Sequence, residues 1–429
     1  MSNHISTIFA VSSGAAPAAI AVIRISGPSA YPALQSLTGR SFEPRKASLA
    51  KLRDGDGDLL DEALILWFPG PKSATGEDCA ELHCHGGKAV LRAVSDALAK
   101  VDGLRPAEPG EFTRRAFANG RMDLAQAEGL ADLLEAETEL QRAAAVANAN
   151  GVLSGKVEGW RDTLLTLSAQ IEAALDFSDE DDVSEIPEGF TWNIAQLSSE
   201  IAEFLYSPQS EKLKEGFRVV LAGPPNAGKS TLFNALIQSE AAITSSIAGT
   251  TRDVIERTVA IKGVPFAFVD TAGLRDGRDA EEIEAIGIER ARAELDNADV
   301  ILWLGAEGEG PTGSWEIAAR KDAPDHIRKP SALHAISALT GEGVDPLKEA
   351  LVETARSALP KPGEGALNER QFKRLSEAQA GLSGVQGQSD LLLIGEELRS
   401  ARVAFDRLIG RATTEEMLDA LFGRFCIGK

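Results

Sequence analysis

Residues 217–236 read FRVVLAGPPNAGKSTLFNAL, and strand, loop and helix follow one another within this stretch. Phe217 to Ala222 is a short apolar run with the branched residues of a buried strand. It leads into Gly223-x-x-x-x-Gly228-Lys229-Ser230, and then into a helix opening at Thr231. A glycine loop between a strand and a helix is the context that separates a phosphate-binding P-loop from a chance turn. Glycines let backbone N–H groups wrap phosphate oxygens, and the helix N-terminus adds its dipole. Lys229 neutralises charge on the β- and γ-phosphates, and the Ser230 hydroxyl suits Mg²⁺.

Two further elements surround this loop. VPFAFVDTAG (264–273) reads as a strand ending in Asp270-Thr271-Ala272-Gly273. Asp270 is expected to hold Mg²⁺ through water, and the Gly273 N–H to sense the γ-phosphate. Before it, IAGTTRD (247–253) supplies Thr251 as a second Mg²⁺ ligand. In this order the three motifs predict a GTPase core, with residues 216–358 alternating strand, glycine loop and helix as a parallel α/β domain. The phosphate contacts are expected from Asn226, Ala227, Gly228, Lys229, Ser230 and Thr231, with Ser245, Thr250 and Thr251 in the switch segment.

Base recognition is less regular. Guanine is normally read by Asn-Lys-x-Asp after the next strand, here DVILWLG (299–305). The corresponding Ala319-Arg320-Lys321-Asp322 keeps only the final aspartate, with Arg320 where a lysine packs on the base. Asp322 is the expected acceptor for guanine N1–H and N2–H₂, and Asp325 is the alternative. Without the asparagine the loop should be less well held and affinity weak. Ser337-Ala338-Leu339 in ISALTGEG matches the following guanine-contact loop, so GTP is preferred to ATP. Leu274 occupies the position after the DxxG motif where a glutamine would orient water. Asn226 and the segment 243–251 are candidates to bind a monovalent cation that takes the place of an arginine finger. Glu281, Glu282 and Glu284 are candidates to orient water.

The rest of the chain bounds this reading. Its 429 residues suggest roughly three domains. No apolar run reaches the ~20 residues of a membrane span, and MSNHISTIFAVSSG lacks the charge and apolar pattern of a secretion signal. The three cysteines, Cys79, Cys84 and Cys426, point to a reducing cytoplasm rather than a disulfide framework. A formal charge of −21 argues against broad phosphate-driven nucleic-acid binding, so any RNA contact must be local or shared with a partner. Residues 1–118 mix strands (IAVIRISG, EALILWFPG) with a helix (AVLRAVSDALAK). Residues 119–215 and 367–429 are helix formers on either side of the α/β insert 216–366. Leu124, Ala127, Ala131 and Leu134 recur on one helix face, and the acidic stretch 176–189 reads as a loop.

Two local features remain. As a strand, CAELHCH (79–85) puts Ala80, Leu82 and Cys84 on one face and Glu81, His83 and His85 on the other. A carboxylate between two imidazoles suits a pterin ring. An ordinary buried strand is the alternative, whereas a metal site of Cys79, His83, Cys84 and His85 would have to break the strand. At the C-terminus, Thr413-x-x-Glu416 reads as a capping box, Gly423 as the helix stop, and FCIGK as an unusual tail.

The motifs AVIRISG, GEDCAELHCHGG, PGEFTRRAFANGRMDLAQAEGLADL, GPPNAGKSTLFN, AGTTRD, DTAGLR, IEAIGIER and terminal FCIGK together resemble the tRNA-modification GTPases of the MnmE (TrmE) family over the whole chain. The resemblance implies an N-terminal α+β domain that forms a homodimer and binds 5-formyl-tetrahydrofolate or a related one-carbon folate. It also implies a discontinuous α-helical domain and an inserted Ras-like P-loop G domain. It further implies K⁺-stimulated GTP hydrolysis with Mg²⁺, and a flavoprotein partner of the MnmG (GidA) type that carries FAD. Together the two proteins modify C5 of the wobble uridine of certain tRNAs. By this resemblance Asn226, Ser245, Ile247 and Thr250 would ligate K⁺, Glu284 would orient water, and Arg24, Glu81, Arg121 and Lys429 would hold folate. Cys426 becomes a candidate catalytic thiol, with a buried apolar cysteine as the alternative. Two other readings stay open: a GTP-dependent binding switch in ribosome assembly, and a folate-binding module with a vestigial P-loop.

Overall fold

The computed structural model describes residues 6–176, 186, 188–206, 210–238, 241–242, 255–270, 292–324, 326, 328–361, 363 and 365–428. The chain forms two compact units, Met1–Ala131 with Phe405–Lys429, and Asp132–Ala404.

The first unit is built on a six-stranded sheet of order β3-β4-β5-β2-β1-β6. Its strands are β1 (Thr7–Val11), β2 (Ala18–Ser26), β3 (Ser48–Arg53), β4 (Leu59–Phe68), β5 (Cys79–Gly86) and β6 (Leu104–Pro106). Alternation along β2 and β5 sends Ala21, Ile23, Ile25, Leu82 and Cys84 into one core, where helices Ala30–Thr38 and Lys88–Ala99 contribute Leu34, Leu91, Val94 and Leu98. The opposite set of side chains is thereby left free for chemistry. Ile8 and Ala10 point the other way from Phe9 and pack with Phe112 of the helix Glu111–Ala118.

The C-terminal segment belongs to the same unit. Leu418, Phe422 and Phe425 share a cluster with Leu124 and Ala127, packed by Phe117. Pro109 and Ile427 form an antiparallel bridge. Gly110 (φ +68) approaches Phe422 so closely that a Cβ would lie 2.1 Å from its carbonyl oxygen. The helix Glu415–Phe422 stops at Gly423 as expected, but its N-cap is Thr414, with no side-chain capping bond. Thr413 Oγ1 instead lies 3.4 Å from the Gly410 carbonyl, so the expected capping box does not form. The apolar stripe beginning at Leu124 also ends early, because Leu134 is 46% exposed.

The second unit holds a seven-stranded sheet of order β13-β12-β11-β7-β10-β9-β8. These strands are β7 (Phe217–Ala222), β8 (Ala241–Ala242), β9 (Ile255–Ile261), β10 (Val264–Asp270), β11 (Val300–Trp303), β12 (Trp315–Ala318) and β13 (His334–Ala335). The central β7 pairs in parallel with β10 and β11, and helices Lys229–Ile237 and Val344–Ala358 pack their apolar faces into the same core. The alternation fails twice among the described residues: neither residues 304–314, between the parallel strands β11 and β12, nor the described part of 319–333, between β12 and β13, forms a helix. Four glycines and a proline in GAEGEGPTG (305–313) explain the first. That loop wraps Trp303, whose indole donates to the Ala306 carbonyl at 2.8 Å.

Helices Glu139–Ala149, Val152–Asp176, Phe190–Leu205, Ser210–Glu215 and Glu369–Val385, with most of Leu391–Ile409, complete this unit. Full capping boxes open two of them, Thr138 with Gln141 and Asn368 with Gln371. The first anchors the helices to the sheet: Leu140 and Ala144 are buried in the α/β core with Phe217 and Phe266. Leu140 N–H donates to the Gly263 carbonyl at 3.1 Å, and Gln141 Nε2 to that of Leu213 at 2.8 Å.

Candidate functional site

The parallel pairing of β7 with β10 brings the two halves of the phosphate site together. Asp270, at the end of β10, lies opposite Leu221 of β7. Ser230 is the second residue of the helix Lys229–Ile237, and its hydroxyl donates to Asp270 Oδ2 at 2.7 Å. Asp270 is 1% exposed. A buried carboxylate beside a hydroxyl is an oxygen donor set suited to Mg²⁺, so the residues present fit that ion. Lys229 is buried, and its Nζ donates to the carbonyls of Gly223 and Pro224, each at 2.9 Å. Gly228 caps the helix at φ +96, and Asn226 at the exposed tip adopts φ +61, a conformation asparagine tolerates better than most residues. Ala227 is half-buried and Thr231 exposed.

The expected base-reading loops also meet. The Arg320 stem lies over Gly228, where a Cβ would be 3.5 Å from Arg320 Cγ. A hydrogen bond from Ser337, with the charges of Arg320 and His326 adding to it, holds the Asp322 carboxyl below the usual carboxylate range. Ser337 is fully buried, and its Oγ accepts from the Thr340 N–H at 3.1 Å. Ala338 is half-buried, and Leu339 is 80% exposed. Ser245, Ile247, Thr250, Thr251, Thr271, Ala272, Gly273, Leu274, Glu281, Glu282, Glu284, Asp325 and Lys429 lie outside the described residues.

A second site is written across β2 and β5. Arg24 and Glu81 are register partners, and Arg24 Nε and Nη2 donate to Glu81 Oε1 at 3.1 and 2.9 Å. The pair is half-buried, with the guanidinium 5.8 Å over the Phe112 ring. His83 Nε2 is 3.4 Å from Glu81 Oε2. The expected second imidazole is not there: His85 turns to Asp61 on β4, with Nδ1 2.7 Å from Oδ1. Burial pushes the Asp61 carboxyl up, but the hydrogen bonds from His85 outweigh it and leave the pKa lowered. A carboxylate, a guanidinium and an imidazole with an aromatic ring beside them fit the amide-like edge and face of a pterin.

No group of His, Cys, Asp and Glu able to hold a metal ion occurs among the described residues. Cys84 is buried, and burial with the nearby Asp61 charge pushes its thiol up to about 12, too high for a nucleophile at neutral pH. Cys79 is enclosed by Thr75 and Ser26. Cys426, by contrast, is exposed, which removes the reading of it as a buried apolar residue.

Arg121 is placed by a loop and not by the strands: its Cγ would be 3.2 Å from a Cβ at Gly76, which has φ +81. That loop is tied down by groups missed in the sequence reading. Glu77 Oε2 accepts from Ser26 Oγ at 2.8 Å and from Arg115 Nη1 at 3.0 Å, and Asn119 Nδ2 donates to the Thr75 carbonyl at 2.8 Å. Arg115 also donates to Glu111 at 3.0 Å, an i,i+4 pair that the short helix could have announced.

The family described as the GTP-binding protein TrmE N-terminus matches residues 7–121, and the MnmE helical domain matches residues 124–426. The tRNA modification GTPase MnmE of Erythrobacter litoralis is 61% identical over 423 residues, covering 99% of this chain and 100% of that protein. That of Novosphingobium aromaticivorans is 60% identical over 435 residues, covering 99% of each. Among solved structures, the G domain of the T. maritima FeoB iron transporter is 25% identical and covers 32% of this chain and 98% of that one, with a TM-score of 0.24. With relatives this similar along its full length, the chain belongs to the MnmE family of tRNA modification GTPases.

Proposed function

We propose that this chain is a K⁺-stimulated GTP hydrolase that works with an FAD-carrying partner of the MnmG type to modify C5 of the wobble uridine of certain tRNAs. The observation that carries the hydrolase half is the Ser230–Asp270 contact at the ends of the helix and β10, beside the buried Lys229. Ser230 and Asp270 hold the ion, Lys229 carries positive charge to the β/γ oxygens, and the loop N–H groups orient the phosphate chain. Asp322, kept ionised by Ser337, accepts from the guanine edge. When bound, Mg²⁺ and K⁺ neutralise developing charge on the phosphates. Asn226 at the exposed loop tip would be one K⁺ ligand, with Ser245, Ile247 and Thr250 as the others and Thr251 as the second Mg²⁺ ligand. Glu284 orients the attacking water.

In the N-terminal domain, Arg24, Glu81 and Arg121, with Lys429 of the tail, hold a one-carbon folate, which supplies the carbon unit. Cys426 is the exposed thiol of the tail. The functional domains are 1–118, then 119–215 with 367–429, and 216–366, in a homodimer that acts in the cytoplasm. No helix among the described residues is long and apolar enough to cross a membrane. GTP turnover by the purified chain tests the cation role: it should fall strongly when Na⁺ replaces K⁺, and equal rates in the two salts would sink it.

A further inference from the structure

The base-reading loop lacks the asparagine that would hold it, since position 319 is alanine. The structure nevertheless holds this loop from another side. His326 Nδ1 lies 3.2 Å from the Ala319 carbonyl oxygen. A carbonyl oxygen only accepts, so Nδ1 carries the proton and the tautomer is set by this contact. The backbone N–H of His326 donates to the Ala323 carbonyl at 3.1 Å, and the Ala323 backbone N–H to the Arg320 carbonyl at 2.9 Å, closing a compact turn around Asp322. On the far side, the Lys321 N–H donates to the Ile336 carbonyl at 2.9 Å, next to Ser337. His326 is half-buried.

We infer that His326 is a positioning residue for guanine recognition, fixing the Ala319–Asp322 loop in place of the missing asparagine side chain. It acts through the loop backbone and not on the nucleotide, so it sets how often Asp322 is correctly placed. The inference rests on Asp322 as the base reader, and the experiment separates the two claims.

Affinities of the full-length protein for GDP and for xanthosine diphosphate are measured in four variants, together with melting temperature. Asp322→Asn should reverse the preference toward the xanthine nucleotide; no reversal would overturn the base-reader assignment and this inference with it. Given that reversal, His326→Ala should weaken GDP binding about three- to tenfold, the worth of one hydrogen bond. Ala319→Asn alone should bind GDP at least as well as the parent. Added to His326→Ala, it should restore affinity. Unchanged GDP affinity in His326→Ala would overturn the inference. So would weakened binding with a lowered melting temperature that Ala319→Asn does not rescue, because the histidine would then be supporting the fold alone.

Discussion

The two sites of this molecule are built on opposite principles. At the P-loop the chemistry is done largely by backbone, and its position is dictated by consecutive residues: a strand, a glycine turn and a helix start. At the N-terminal sheet the chemistry is done by side chains far apart in sequence, Arg24 and Glu81, which become partners only through strand register. A one-residue slip of β2 against β5 would turn Arg24 to the core face, away from Glu81, and destroy the site. The phosphate site is therefore robust to distant change and intolerant of local change. The sheet site depends in addition on distant change, because the Arg24–Glu81 contact needs the β2–β5 register.

The largest effect should follow from breaking the local site. Lys229→Ala removes the one buried ammonium at the loop, and GTP turnover should fall about 100- to 1000-fold. Measurable turnover lost in this variant would also exclude a vestigial P-loop. The next test strikes the other site from a distance. At Gly428 (φ +98) a Cβ would lie 2.1 Å from the Val11 carbonyl oxygen, so Gly428→Ala should dislodge the tail. It should abolish tRNA modification while leaving GTP turnover within about twofold, because the tail and the P-loop belong to separate compact units. Cys426→Ser should do the same without disturbing the docking. Loss of both activities in either variant would mean that the tail is structural.

The smallest effect concerns the Glu111 ion pairs of the N-terminal unit. Burial pushes the Glu111 carboxyl up, but hydrogen bonds from Arg105, the Glu108 N–H and Arg115 outweigh it, so its pKa is lowered on folding. Its contribution to stability is thus present above the unfolded value of about 4.3 and is lost as the pH falls through the folded value. Melting temperature measured from pH 7 downward should drop more steeply in the parent than in Glu111→Gln. Parallel curves would show that the pair contributes nothing.

The same contrast explains what was legible in the sequence. Motifs made of consecutive residues, such as Gly223–Ser230 and Asp270, were readable because their geometry is local. The inward and outward faces of CAELHCH were readable too, because strand alternation has a fixed period. The partner of His85 was not: choosing Asp61 over Glu81 needs the pairing of β4 with β5, which no local pattern encodes. The Glu77–Arg115 contact and the docking of the tail at Pro109 are long-range for the same reason. The missing helix between β11 and β12 was legible in its glycines, but the general α/β alternation overrode that signal. At the base-reading loop the motif registered a missing asparagine, whereas the imidazole of His326 reaches the same backbone from outside the motif.

In the proposed function, GTP hydrolysis and the sheet site serve one tRNA modification. This is tested most directly by mass spectrometry of nucleosides from the tRNA of a deletion strain, with and without the gene restored. The C5 substituent of the wobble uridine should disappear in the deletion and return with the parent chain but not with Lys229→Ala or Cys426→Ser. Wobble uridines unaltered by the deletion would contradict the proposed function.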